Sequence, residues 1–184
     1  MKIKILVWLS IIIVIILIVS YRIYYPIKYD TLEVSKKIED RFDIDRNDIQ
    51  LSGIELNNKD LYFIAYVQED IVVVKLKRGI FGRFKYLGMS YTDADFVNGV
   101  VESKGNKYLL VGGRNTNNEI AKISFSLDNI PYEINVSSVN ERFFEYTQID
   151  NQTIDEHIFL DNTILYNANG EDITYKFDTS SGGL

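Results

Sequence analysis

Cysteine is absent from the chain, histidine occurs once and proline twice. Without cysteine there are no disulfides, thiolate metal sites or cysteine nucleophiles, and a lone His157 excludes a multi-histidine metal centre within one chain. Few common catalytic chemistries survive these exclusions, so neither an enzyme nor a cofactor is expected. Basic charge is also scarce outside the first residues. Residues 1–28 carry Lys2, Lys4, Arg22 and Lys28 and no acid, which leaves 16 basic and 26 acidic side chains in 29–184, a net charge of −10 there against −6 for the whole chain. So acidic a body opposes broad nucleic-acid binding, which needs clustered Lys and Arg against phosphates.

What the chain does have is one long apolar run. Residues 5–21 are seventeen consecutive uncharged positions, interrupted only by Ser10 and Ser20 among Ile, Leu, Val and Trp. As a helix they span about 25 Å, slightly short of a ~30 Å hydrocarbon core. Lys4 and Arg22 can snorkel from the two ends, and Tyr21, Tyr24 and Tyr25 suit the interface. Residues 1–28 are therefore expected to be a tail and transmembrane anchor, making the chain an integral, single-pass membrane protein. A cleaved secretory signal competes with this, but a cut after Ser20 would place Ile18 where a small residue is required.

Orientation is pulled both ways. Arg22, Lys28, Lys36 and Lys37 follow the run and lean toward a cytoplasmic domain, whereas a short basic start before an apolar run is the layout of a signal anchor. Long domains translocate largely regardless of charge, so the expected location is the cell membrane with the C-terminal domain extracytoplasmic.

Residues 29–48 read as an amphipathic helix and linker. Leu32, Val34, Ile38 and Phe42 recur near helical spacing, Asp30 or Thr31 can cap, and Glu33 suits the first turn. From residue 49 the period falls to about two. Strands are predicted at 49–56, 61–67, 71–78, 84–92, 96–102, 107–112, 120–127, 132–136, 142–149, 158–160, 163–166 and 173–177, between Asn-, Asp- and Gly-rich turns. The fold class is therefore mainly β: an N-terminal transmembrane helix, a short amphipathic helix, then an antiparallel β meander over 49–178 forming a sandwich or barrel-like domain. Residues 179–184 are expected to be a disordered tail.

Two loops stand out as candidate binding sites. In the segment 75–85, a glycine-bracketed turn places Ile80 and Phe81 at a tip, with Lys75, Lys77 and Arg78 on one strand and Arg83 and Lys85 on the next. That is an apolar wedge ringed by positive charge, suited to anionic lipid headgroups or an anionic wall polymer; the alternative folds Phe81 back onto the core. In the segment 111–118, Arg114 and Asn115 follow two glycines, so Arg114 could clamp a carboxylate or phosphate, against the simpler reading of a hairpin turn with Arg114 paired to an acid. The spacing matches neither a P-loop nor a dinucleotide fingerprint.

Weaker motifs point to structure rather than chemistry. Residues 43–48 start like a calcium loop but put Asp48 where the glycine belongs and Ile54 where a bidentate Glu should stand, so no metal site is assigned. His157 between Asp155 and Glu156, with Ser137, Ser138, Ser180 or Ser181, forms a triad on paper only, and no catalytic residue is assigned.

The basic start and apolar anchor, with Gly79-Ile80-Phe81-Gly82-Arg83-Phe84-Lys85, Val111-Gly112-Gly113-Arg114-Asn115 and Tyr166-Asn167-Ala168-Asn169-Gly170-Glu171-Asp172-Ile173, resemble small membrane-anchored proteins of Gram-positive bacteria that carry a domain of unassigned function. The resemblance implies a bacterial envelope setting and brings no activity. The expected role is an envelope-associated binding or accessory module, contacting an envelope protein or anionic wall polymer. The alternatives are a cytoplasmic-facing regulator or immunity-type protein, and a carboxylate-dependent hydrolase of envelope glycans.

Overall fold

The computed structural model describes residues 2–28, 31–43, 45, 49–67, 70–137, 141–154, 163–177 and 181–183. The predicted strand at 158–160, His157 and most of the calcium-like segment lie outside them. Helix α1, Lys2–Tyr24, continues past the seventeen-residue run. Its Ile5–Tyr24 stretch is long and apolar enough to cross a membrane, and twenty residues at about 1.5 Å each match the hydrocarbon thickness that the shorter run fell short of. The Ser10 hydroxyl donates to the Leu6 carbonyl at 2.9 Å, so it is satisfied within the helix.

Only Tyr25 and Pro26 separate α1 from the first core residue. Ile27 is buried and exchanges both backbone hydrogen bonds with Phe84, donating at 3.1 Å and accepting at 2.6 Å. Glu33, in the first turn of α2 (Thr31–Phe42), accepts the Lys28 N–H at 2.6 Å. Helix α1 is thus tied to the β domain by this single bridge and by the start of α2.

Among the described residues eleven strands follow: β1 Gln50–Leu56, β2 Asp60–Val67, β3 Asp70–Arg78, β4 Phe84–Thr92, β5 Phe96–Ser103, β6 Asn106–Arg114, β7 Lys122–Leu127, β8 Ile130–Asn135, β9 Arg142–Ile149, β10 Ile164–Tyr166 and β11 Ser181–Gly183. They form three open sheets, ordered β1-β2-β3-β4, β11-β5-β6-β9 and β10-β7-β8, and none closes into a barrel. Every pair is antiparallel except β11 with β5.

Three apolar clusters show how the elements stack. Val34 and Ile38 of α2 pack with Ile27 on Phe63, Val72, Val74 and Phe84 of the first sheet. The opposite face of that sheet, with Ile64, Tyr66, Ile71 and Val73, meets Val97, Leu110 and Phe144 of the second. The far face of the second, with Phe96, Leu109, Val111 and Phe143, meets Ile123, Phe125, Ile134 and Leu165 of the third. The order is helix, sheet, sheet, sheet. With both faces covered, β2 is buried at every position, which suits its nearly unbroken apolar sequence.

Close approach between these layers needs glycine. A Cβ on Gly112 of the second sheet would collide with the Ile64 side chain of the first. Beside it, the buried Tyr66 hydroxyl lies 2.8 Å from the carbonyls of both Gly113 and Phe143, pinning the first sheet to the second.

The structure differs from expectation at two places near the C-terminus. The predicted strand at 173–177 is a 3-10 turn, Thr174–Lys176, started by Asp172, whose carboxylate accepts both the Thr174 hydroxyl at 2.6 Å and its N–H at 2.9 Å. Those bonds hold the Asp172 carboxyl below its usual range. Ile173 is buried beside a single bridge to β10, its N–H bonding the Leu165 carbonyl at 2.8 Å, and plugs the core without extending into a strand. Ser181–Gly183, expected to be disordered, pairs in parallel with Phe96, Val97 and Asn98 of β5. Backbone pairing at an open sheet edge needs no apolar side chain, so this strand has no hydrophobic signature.

Candidate functional site

The β3–β4 turn owes its reach to its ends. Gly82 sits at φ 68°, a value glycine adopts freely, and the Gly79 N–H bonds the Arg83 carbonyl at 2.7 Å to close the loop. Leu87 is an extra residue on β4, since Lys75 faces Gly88 while Leu76 faces Tyr86. The bulge adds local twist to the hairpin. Ile80 is 88% exposed and Phe81 76%, so Phe81 does not fold back onto the core.

Instead the tip rests on the end of α1. The Phe81 N–H donates to the Tyr21 hydroxyl at 3.0 Å, and the two rings meet edge to face with centroids 5.2 Å apart. For rings as exposed as these, an aromatic contact of that geometry contributes about 0.5 kcal/mol. Arg83 donates through Nε to the Tyr25 carbonyl at 2.7 Å and through its guanidinium to the Pro26 carbonyl. Positive charge there also complements the negative end of the α1 dipole. Lys85 donates to the Tyr24 hydroxyl at 2.6 Å and lies 4.0 Å from the centre of that ring. Gly79 makes the approach possible: a Cβ there would sit 2.5 Å from the Tyr21 hydroxyl and 2.8 Å from the Tyr25 ring.

The remaining cations of the hairpin face elsewhere. Arg78 is paired with Glu55 at 2.8 Å, and Lys75 lies 5.4 Å from the centre of the Tyr62 ring. Lys77 stands opposite Lys85 in the ladder. The expected ring of charge around the wedge is thus resolved into Arg83 and Lys85 at the end of α1, Lys77 beside them, and Lys75 and Arg78 along the stem.

Between the tip and α1 lies an open cleft of about 780 Å³, lined by Val14, Leu17, Ile18, Tyr21 and Arg22 from the helix, Phe81, Gly82 and Arg83 from the turn, and Lys28 from the connector. The helix residues recur at three- and four-residue spacing and so share one stripe. Sequence reasoning placed Tyr21 and Arg22 at a membrane interface but did not join them to the hairpin. The signal was there in part: three tyrosines beside a basic residue, separated by some sixty positions from a Gly-bracketed turn.

The second candidate loop is a different object. Asn115 is 0% exposed, and its side chain is consumed by Ile120, accepting the N–H at 2.7 Å and donating to the carbonyl at 2.8 Å. Its own N–H bonds the Glu141 carbonyl at 2.7 Å. Arg114 pairs with Asp95 at 3.5 Å, and its N–H bonds the Asp95 carbonyl at 3.0 Å. These residues close the connection from β6 to β7, which belong to different sheets, so the loop is a crossover and not the expected hairpin turn, while Arg114 is paired to an acid as that reading had it.

Among the described residues no group of three His, Asp or Glu side chains is placed to hold a metal ion. One buried polar group faces a smaller cleft: the Tyr62 hydroxyl has no hydrogen-bond partner among the described residues, and burial, with Asp60 nearby, raises its pKa. No protein-family model, no curated protein and no solved structure matches this chain.

Proposed function

We propose that this chain is a single-pass membrane protein that holds its β layers against the outer surface of the cell membrane and works there as a binding or accessory module of the envelope, not as an enzyme. The observation that carries this reading is the seating of the β3–β4 tip on the end of α1 through Tyr21, Tyr25 and Pro26. In a bilayer whose edge is marked by Tyr21, Tyr24 and Tyr25, that seat brings Ile80 and Phe81 to headgroup level and fixes how the sheets stand on the membrane. The partner would be an envelope protein or an anionic wall polymer, and the Gram-positive setting follows from the resemblance of the motifs.

The test is protease treatment of intact cells carrying a C-terminal epitope tag, with crosslinking on the same cells. Loss of the tag and capture of a discrete envelope partner support the reading. Protection of the tag in intact cells, with cleavage after lysis, overturns it. That outcome would favour a second reading, a cytoplasmic-facing regulator or immunity-type protein, to which the charges of Arg22, Lys28, Lys36 and Lys37 after the helix already lend weight.

A further inference from the structure

We infer that the cleft between α1 and the β3–β4 tip is a binding site for one anionic glycerophospholipid, its phosphate held by Arg22 and Lys28 and an acyl chain lying along Val14, Leu17 and Ile18. The inference rests on the proposed membrane anchoring of α1 and names a ligand for the tip that this anchoring seats. The cleft is two-ended in chemistry. Along α1 its lining passes from aliphatic Val14, Leu17 and Ile18 to the cation Arg22, which Lys28 and Arg83 join, with no carboxylate lining it among the described residues. Val14 lies two helical turns below Tyr21, about 10 Å further into a bilayer, so the aliphatic end faces hydrocarbon and the cationic end faces headgroups. That polarity matches a phospholipid and no soluble ligand of one character.

Size and charge agree with one molecule. The 780 Å³ volume falls within the ~300–1,000 Å³ typical of small-molecule sites, enough for a headgroup and the upper part of a chain. Arg83 already donates to the Tyr25 and Pro26 carbonyls, so it adds field at the cationic end, while Arg22 and Lys28 are in no salt bridge among the described residues. A second copy of α1 fits the groove less well than lipid. Close helix packing in membranes uses Gly, Ala and Ser, whereas this stripe presents Val14, Leu17 and Ile18 and ends in a cation. Phe81, 76% exposed, forms the opposite wall, so the seated turn converts an ordinary lipid-facing helix surface into a two-sided slot.

The experiment is native mass spectrometry of the full chain in nonionic detergent, titrated separately with phosphatidylglycerol, phosphatidylcholine of the same acyl chains, and glycerol 3-phosphate. The expected result is a single phosphatidylglycerol adduct, roughly tenfold stronger than the phosphatidylcholine adduct, with none from glycerol 3-phosphate. Replacing both cations, Arg22→Gln with Lys28→Gln, should bring phosphatidylglycerol down to the phosphatidylcholine level. The exposed pair Lys36→Gln with Lys37→Gln should leave it unchanged. Equal binding of the two lipids, equal loss in both variant pairs, or binding of glycerol 3-phosphate as strong as that of the lipid would overturn the site. Alkaline carbonate extraction of the native membranes separates the two levels: a chain that washes off refutes the anchor reading, whereas a retained chain without headgroup preference refutes only the lipid site.

Discussion

The β3–β4 turn and the β6–β7 connection read alike in sequence: each has a pair of glycines, an arginine and a hairpin's place between strands. The fold puts them to opposite uses. At residues 114–120 the side-chain amide of Asn115 replaces a ladder, giving Ile120 both a donor and an acceptor inside the core. At residues 79–83 the apolar side chains are left outside, and the turn's polar groups reach across to the end of another element. Composition marks a turn, but the location of its hydrogen-bond partners decides whether the turn is scaffold or surface. A loop whose polar groups are all met within its own neighbourhood has little left to offer a ligand.

The largest expected effect is on the scaffold loop. Asn115→Ala strips Ile120 of two buried partners and should cost about 3 kcal/mol in denaturant unfolding. A cost under about 0.5 kcal/mol would erase the distinction between the loops. Next comes Tyr66, whose hydroxyl spans the same region to Gly113 and Phe143; Tyr66→Phe should cost about 1 kcal/mol at neutral pH. Its alkaline behaviour sharpens the point. Burial raises the Tyr66 pKa above the ordinary 10.0, outweighing the two carbonyl contacts and the nearby Arg142 and Arg114 that lower it. The folded chain therefore holds the phenol proton more tightly than the unfolded one. Stability from this group is complete below pH 10 and is lost as pH rises through the folded value. Unfolding measured from pH 9 upward should fall less steeply in Tyr66→Phe than in the parent.

The surface turn should respond differently. Arg83→Gln removes the charge that holds the Tyr25 and Pro26 carbonyls, and the amides of Ile27 and Phe84 should exchange with deuterium roughly tenfold faster, while those of Asn115 and Ile120 keep their rate. Gly79→Ala should act in the same direction by forcing the tip off Tyr21 and Tyr25. Smallest of all is the double change Ile80→Ser with Phe81→Ser, which should leave stability within about 0.5 kcal/mol because both side chains are largely exposed. A larger loss would mean that the tip belongs to the core after all.

Much of the fold was legible in residues that obey a period. Alternation placed β4 and β9 at their observed bounds, and the apolar stripe of Val34 and Ile38 gave the packed face of α2. What alternation does not carry is the division of the strands among three stacked sheets, since a residue buried against one sheet looks the same as one buried against another. The short elements failed for a related reason. Ile173 is apolar because it plugs a core, and β11 pairs through backbone alone, so one overstated a strand and the other concealed one. At the candidate site the wedge of Ile80 and Phe81 was visible, but its partner was not. Tyr21 and Tyr24 read as interface residues, and only the ladder between Ile27 and Phe84 brings them to Arg83 and Lys85.

The central claim, which follows from the proposed anchoring, is that the β3–β4 tip sits at headgroup level beside the end of α1 while the β6–β7 loop stands in water. Because the chain has no cysteine, a nitroxide can be attached at a single introduced site in the full-length protein, Ile80→Cys in one sample and Thr116→Cys in another, each reconstituted in vesicles. Power-saturation electron paramagnetic resonance then compares collisions with oxygen and with a water-soluble nickel complex. The account predicts a clearly higher ratio of oxygen to nickel collisions at position 80 than at position 116. Equal nickel access at both positions would contradict it.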